Sequence, residues 1–350
     1  MTNKIESKEY LAYDDILLSP QYSEIITRHD VDVSSNLFDN YKLTLPIIAS
    51  PMDSICESEM AKVMHEQGAA GIIHRYNSIE KQISFVKDVG VDKSPIVAIG
   101  VSGDYKERFD EFYSIGVRNF CLDVAHGHHI TTKKAIKYLK SRHDDLNIIA
   151  GTIGTYYGAL DLANWGADAI RVGVGSGSIC KTRIVTGHGV PTVTSLIEAR
   201  KGVEVAGKHT RRPTIIADGG IRNSGDIVKA FACGADCVII GSLLAGTKQT
   251  PGRIITDPNS GRQLKCYRGM ASTDAQQEWR GYVSVEEGVS TTVPYIGDVT
   301  DILCSLKNGI CSGLSYSGSK NIKEFYKDVK IIRQTHAGII ESSPHIFNRR

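Results

Sequence analysis

Eight short runs of apolar, largely β-branched residues recur along the chain, each ending on a polar residue or a glycine. They read P-I-I-A-S (46–50), A-G-I-I-H (70–74), I-V-A-I-G (96–100), N-F-C-L-D (119–123), N-I-I-A-G (147–151), A-I-R-V-G (169–173), T-I-I-A-D (214–218) and C-V-I-I-G (237–241). None alternates apolar with polar, which is the pattern of strands buried on both faces. Helix-compatible stretches lie between them, at 57–67, 106–115, 159–165 and 225–232. Strands alternating with helices imply right-handed βαβ units and a parallel sheet.

One phrase repeats with the strands: E-Q-G-A-A-G-I-I-H, S-I-G-V-R-N-F-C-L-D, N-W-G-A-D-A-I-R-V-G and A-C-G-A-D-C-V-I-I-G. Each sets a glycine between a helix and a strand, where a helix ends on a left-handed residue. The phrase falls at strands two, four, six and eight, so the chain reads as four doubled βα units. That predicts an α/β fold of the (β/α)8 TIM-barrel type, one domain over 1–350, rather than an open doubly wound sheet. After the eighth strand, Lys248 to Val299 is too long for a connector and is expected to be a lid or binding loop.

Charge is balanced, with 41 Lys and Arg against 39 Asp and Glu. The basic residues are scattered, which argues against nucleic acid or a membrane surface as the main partner. The first ten residues are polar, and no apolar run reaches the ~18 residues of a membrane helix, so a cytoplasmic protein is expected. Eight cysteines include no C-x-x-C and no zinc spacing, which argues against a disulfide framework or a structural metal. Seven of them are expected to be buried small hydrophobes.

Barrel active sites gather at the C-terminal ends of the strands. The candidates are Ser50 to Met52, His74 and Arg75, Asp123, Gly151 and Thr152, the loop Gly173 to Thr182, Asp218 to Gly220, and Gly241 with Ser242. Glycine turns after strands seven and eight commonly bind phosphate through backbone N–H groups. A-D-G-G-I (217–221) and I-G-S-L (240–243) fit that role, with Asp218 placed for ribose hydroxyls; alternatively these glycines only satisfy tight turns. Cys180 ends the loop G-S-G-S-I-C-K-T (175–182). A thiol in such an exposed turn is either a small filler or a covalent nucleophile, and the phosphate turns beside it favour the nucleophile. Asp123 opens D-V-A-H-G-H-H, whose histidine spacing fits no common zinc site. The aspartate is expected to accept hydrogen bonds from a ribose or another polar ligand.

These segments resemble the IMP dehydrogenase / GMP reductase family over nearly the whole chain. The likeness is carried by Y-D-D-I-L-L (13–18), S-P-M-D (50–53), D-V-A-H-G-H (123–128), residues 175–191 and 216–246, Y-R-G-M (267–270) and E-G (287–288). It implies a purine nucleotide substrate whose C2 is attacked by Cys180. Residue by residue, it implies phosphate contacts at Ser178, Gly220, Gly241, Ser242 and Tyr267, ribose at Asp218, and the base at Met270 and Glu287. Ser50, Met52 and Gly269 complete the expected substrate set. Asp123 matches the aspartate facing the cofactor ribose, with Gly173 and Arg75 beside it. Arg75 could receive the 2′-phosphate of NADPH or be a solvated strand-end charge. The carbonyls of Gly175, Gly177 and Cys180 match a potassium site, and family members are typically homotetramers.

The family runs two reactions through one thioimidate. Dehydrogenases oxidise IMP with NAD⁺ and hydrolyse the intermediate to XMP; reductases use NADPH to convert GMP to IMP and ammonia. Most dehydrogenases insert paired CBS modules between strands two and three, where this chain has only residues 75–95. Hydrolysis also uses a mobile flap with an adjacent Arg-Tyr pair. Here Ala271 to Glu286 is short, and Arg280-Gly281-Tyr282 is its nearest approximation. Thr182 and Glu287 suit proton transfer in either reaction. Against these stand dehydrogenase-like stretches: S-P-M-D-S, E-S-E-M-A-K-V-M (57–64), Y-R-G-M and E-S-S-P-H (341–345). Ala271 also departs from the small hydroxyl residue many reductases place there. The expectation is a GMP reductase using NADPH, with an NAD-dependent IMP dehydrogenase lacking CBS modules as the alternative. Lesser readings are an enzyme for a modified purine nucleotide, and a nucleotide-binding scaffold without turnover.

Overall fold

The computed structural model describes residues 6–206, 212–342 and 344. All eight expected runs are strands: β1 (Ile47–Ala49), β2 (Ala70–Ile73), β3 (Ile96–Ile99), β4 (Asn119–Leu122), β5 (Asn147–Ile153), β6 (Ala169–Val172), β7 (Thr214–Asp218) and β8 (Cys237–Ile240). They close into a parallel barrel in sequence order, sealed where Ile239 of β8 pairs with Ile48 of β1. The fold is a (β/α)8 TIM barrel.

The barrel interior is apolar, packed with Ile48, Ile72, Ala98, Cys121, Ile149 and Ile216. Its N-terminal end is plugged by the hairpin Ser35–Phe38/Tyr41–Leu43, which buries Leu37, Phe38 and Leu43. A second, larger cluster fills the layer between strands and helices. Both faces of each strand are therefore dry, which is why the sequence runs do not alternate.

Several of the surrounding helices begin on side-chain caps. Ser78 accepts from Lys81 N–H at the start of α2 (Ile79–Val89), and Asn223 from Asp226 N–H at the start of α8 (Ser224–Ala232). Such caps are worth about 0.5–2 kcal/mol each. The four repeat glycines, Gly68, Gly116, Gly166 and Gly234, have φ of +72°, +98°, +110° and +102°, the left-handed geometry the repeat implied. Between β2 and β3 lie only α2 and the turn Val91–Lys93. Among the described residues no helix is long and apolar enough to cross a membrane.

Residues 248–299 are more ordered than a loop. They carry an antiparallel sheet of β9 (Ile255–Thr256), β10 (Gln263–Arg268) and β11 (Ser290–Pro294), with helix α9 (Thr273–Arg280) between the last two strands. Lys265 is buried in its base and donates to the carbonyls of Thr247 (3.1 Å), Lys248 (3.3 Å) and Thr250. Strand alternation explains one failed expectation. Cys266 stands between buried Lys265 and Tyr267 and so faces outward; Cys304 is exposed too, leaving Cys56, Cys121, Cys233, Cys237 and Cys311 buried.

Candidate active site

The Cys loop folds over the barrel mouth because of a glycine. Gly173 leaves β6 at φ +150°, and a Cβ there would stand 1.9 Å from the Asp218 carbonyl oxygen, so no other residue fits. Ser176 Oγ donates to that same carbonyl at 2.8 Å. The Cys180 N–H donates to Gly177 O at 3.1 Å and closes the turn. Every residue of the expected catalytic, substrate, cofactor and potassium sets lines one cavity of about 490 Å³; of the strand-end candidates, His74 and Gly151 do not, and His74 is buried against Glu57 instead.

At one end of the cavity, hydroxyls and glycine turns converge. Tyr267 shares hydrogen bonds with Ser178 (3.2 Å) and Ser242. Burial raises its phenol above the ordinary value against the pull of those serines, so it remains a neutral donor. Gly219 and Gly220, at φ +87° and +78°, open the turn after β7. Gly241 lies beneath Tyr267 and Met52, while Ser50 and Met52 come from the turn after β1. Met270 is tied across to that turn by the Asp53 N–H, 3.3 Å from its sulfur.

Elsewhere in the cavity, three residues form a hydrogen-bonded chain. The Cys180 thiol lies 3.2 Å from Thr182 Oγ1, and Thr182 donates to Glu287 Oε2 at 2.6 Å. Two chain segments are stitched together to achieve this. Cys180 and Gly288 form an antiparallel bridge, with Lys181 N–H donating to Glu287 O (2.7 Å) and Val289 N–H to Ile179 O (3.0 Å). A proton can pass from sulfur to carboxylate without either group moving. The other cysteines differ in kind: burial pushes the Cys121 thiol up to about 11 and Cys233 up to about 12, whereas Cys180 is half-buried and faces the cavity.

At the opposite end stands Asp123. Burial alone would raise its carboxyl, yet Arg171 and Arg75 hold it below the ordinary carboxylate value. Arg171 Nη1 is 3.1 Å from Oδ1, the Tyr76 hydroxyl donates to Oδ2 at 3.0 Å, and Arg75 Nε stands 3.4 Å away as an ion pair without a hydrogen bond. Arg75 is therefore no solvated strand-end charge; it is committed to Asp123 and stacked over Tyr76 and Trp279. A larger cavity of about 1340 Å³ opens beside this end and shares Arg75, Tyr76, Val124, Ala125 and Arg280 with the first. The histidines after Asp123 serve locally: His128 pairs with Asp161 at 2.9 Å, and His129 caps the helix Ile130–Arg142.

Sequence reasoning missed Arg171, Tyr76 and Gln276. Arg171 had a visible signal, a lone charge inside the apolar run A-I-R-V-G. Tyr76 and Gln276 had none, since each follows from how a loop or the lid packs.

The sequence profile of the IMP dehydrogenase / GMP reductase domain matches residues 10–345. Three curated proteins similar to the chain are each named inosine-5′-monophosphate dehydrogenase. That of Borreliella burgdorferi is 35% identical, covering 99% of this chain and 98% of its own length. That of Nitrosopumilus maritimus is 31% identical over 97% and 99%, and that of Bacillus subtilis 31% over 97% and 96%. These alignments run over 409 and 478 positions, more than the 350 residues of this chain, so the relatives carry segments it lacks. The family acts on purine nucleotides with nicotinamide cofactors, and its catalysts are oxidoreductases. With a Cys loop, paired glycine turns and a family match along its length, this chain belongs to the IMP dehydrogenase / GMP reductase family.

Proposed function

We propose that Cys180 bonds covalently to C2 of a bound purine 5′-monophosphate and that the chain runs as a GMP reductase. The observation that carries the direction is the segment from Ala271 to Glu286. Gln276 pins it from within, donating to the carbonyls of Ala271 (3.0 Å) and Val285 (2.8 Å) and accepting from Ser284 N–H (3.1 Å). Arg268 binds Glu278 at 2.7 Å, and Trp279 sits edge-on to Tyr76 at 5.1 Å. This is a short, anchored cover with no adjacent Arg-Tyr pair to activate water.

In this reading Ser178, Ser242, Tyr267 and the glycine turns hold the phosphate, and Asp218 the ribose. Ser50, Met52, Gly269 and Met270 frame the base. Cys180 adds to C2 of GMP as its proton passes through Thr182 to Glu287. The same relay returns a proton to the departing 2-amino group, leaving the thioimidate. A nicotinamide dinucleotide, when bound, would supply the hydride to C2 of that thioimidate; C2–S cleavage would then release IMP and return Cys180 as the thiolate. Asp123, Gly173 and the larger cavity fit such a molecule in chemistry and room. Because Arg75 is occupied by Asp123, the preference for NADPH over NADH rests on the reductase reading. Gly175, Gly177 and Cys180 contribute uncharged carbonyl oxygens, a donor set suited to potassium, which would stiffen the Cys loop. A single-domain, cytoplasmic homotetramer completes the proposal on the family resemblance.

A second reading has specific support. The relatives described above are all named IMP dehydrogenase, and on sequence likeness that direction is the better supported. There Cys180 adds to C2 of IMP, NAD⁺, when bound, would take the hydride from C2, and water would hydrolyse the resulting thioimidate to XMP and free the Cys180 thiol. The deciding experiment incubates the enzyme with GMP plus NADPH or NADH and, separately, with IMP plus NAD⁺. Cofactor oxidation with release of IMP and ammonia is the expected result. XMP formation without any oxidation of cofactor by GMP would overturn it.

A further inference from the structure

One buried cation joins two carboxylates that line the cavity. Arg171 is 6% exposed and rises from β6 inside the barrel mouth. Its Nε binds Asp218 Oδ2 at 2.7 Å and its Nη1 binds Asp123 Oδ1 at 3.1 Å, with Cys121 Sγ at 3.5 Å below. Asp218 ends β7 and Asp123 follows β4, so one planar group spans three strands. Tyr76 and Arg75 also reach Asp123; among the described residues Arg171 is the side chain hydrogen-bonded to the Asp218 carboxylate.

A guanidinium holds its donors in a rigid fork. Reorienting one carboxylate tilts the plane and moves the donor offered to the other. Ordering that plane is a cost met by whichever ligand binds first, and the second ligand finds its carboxylate already oriented. We infer that Arg171 is a positioning residue that couples the purine-nucleotide site to the dinucleotide site, so that each ligand tightens the other. This rests on reading Asp218 as the ribose contact of the nucleotide and Asp123 as that of the cofactor.

IMP and NADH are a pair that neither family reaction consumes, so both can be titrated at equilibrium by calorimetry. In the wild-type enzyme, saturating NADH should tighten IMP by a factor within the usual allosteric range, about 5- to 150-fold, and IMP should tighten NADH equally. Arg171→Lys keeps the charge but has one ammonium to share, and should bring that factor to within twofold of one while each ligand still binds. Independent binding in the wild type, or an unchanged factor in R171K, overturns the inference. Should R171K not fold, Asp123→Asn serves: it breaks one arm of the bridge and should weaken IMP several-fold in the absence of any cofactor. An unaltered IMP affinity in D123N likewise overturns it. If the wild type binds neither ligand, the reading of the two riboses fails first, and that result is distinct from binding without coupling.

Discussion

Removing the middle of the proton relay gives the sharpest test of the reactive end. Thr182→Val keeps the shape of the side chain and deletes the one oxygen that touches both Cys180 (3.2 Å) and Glu287 (2.6 Å). Without it, sulfur and carboxylate stand two hydrogen-bond lengths apart, too far for direct transfer. Positioned acid–base groups contribute roughly 10²–10⁴-fold, so kcat should fall by that factor, about 2.7–5.5 kcal/mol in barrier. KM should change little, because the residues proposed to hold phosphate and ribose lie elsewhere. Glu287→Gln should cost a similar factor, and the double variant no more than the worse single one, since both interrupt one relay. Rates under saturating substrates, with melting temperature as a control for folding, provide the readout. Losses that multiply in the double variant would refute a shared proton path.

Four further outcomes follow from the geometry. Cys180→Ala should abolish turnover and the mass shift produced by a 2-halogenated purine nucleotide, while equilibrium binding of GMP or IMP survives. Gly173→Ala forces a Cβ to 1.9 Å from the Asp218 carbonyl in a left-handed backbone, and should cost at least about 3 kcal/mol, read as a lower denaturation midpoint. Lys265→Met strands two buried carbonyls and one part-buried, the buried ones worth roughly 1 kcal/mol or more each, and should loosen the lid sheet first, seen as faster amide exchange in β10 and β11. Asp123 is held below its ordinary value, so its ion pairs are complete above about pH 4 and are lost only as pH falls through the lower folded value. Cofactor affinity should therefore be flat from about pH 5 upward, and a carboxylate-like loss between pH 5 and 6 would contradict the pairing.

The barrel was legible because its constraints are local and repeated. Dry strands leave unbroken apolar runs, and a helix followed at once by a strand needs its glycine. The glycine turns and the Cys loop at the cavity were legible for a similar reason, as each compresses its requirement into adjacent residues. The lid was not: residues 248–299 form a sheet whose pairing of β10 with β11 spans a helix, and no local pattern announces it. Trp279 and Tyr76 meet only because that sheet sets α9 over the barrel mouth. Arg171 lies between these cases. Its charge stood out in an apolar strand, but its two partners come from strands 48 residues before and 47 after it, which sequence spacing does not disclose.

The ladder that ties the Cys loop to residues 287–289 continues across the foot of the lid, with a consequence for how such an enzyme could change its product. Gly269 N–H donates to Val289 O at 2.9 Å, and Glu287 N–H to Ala271 O at 3.1 Å. Residues 271 to 286 thus depart from and rejoin the scaffold at neighbouring points, as a detachable cassette does. Lengthening a loop pinned at both ends costs only about 0.6 kcal/mol per doubling, and Cys180 and Glu287 both lie outside residues 271 to 286. A graft of a longer, water-activating segment between these two anchors could alter the fate of the intermediate while the chemistry that creates it stays where it is.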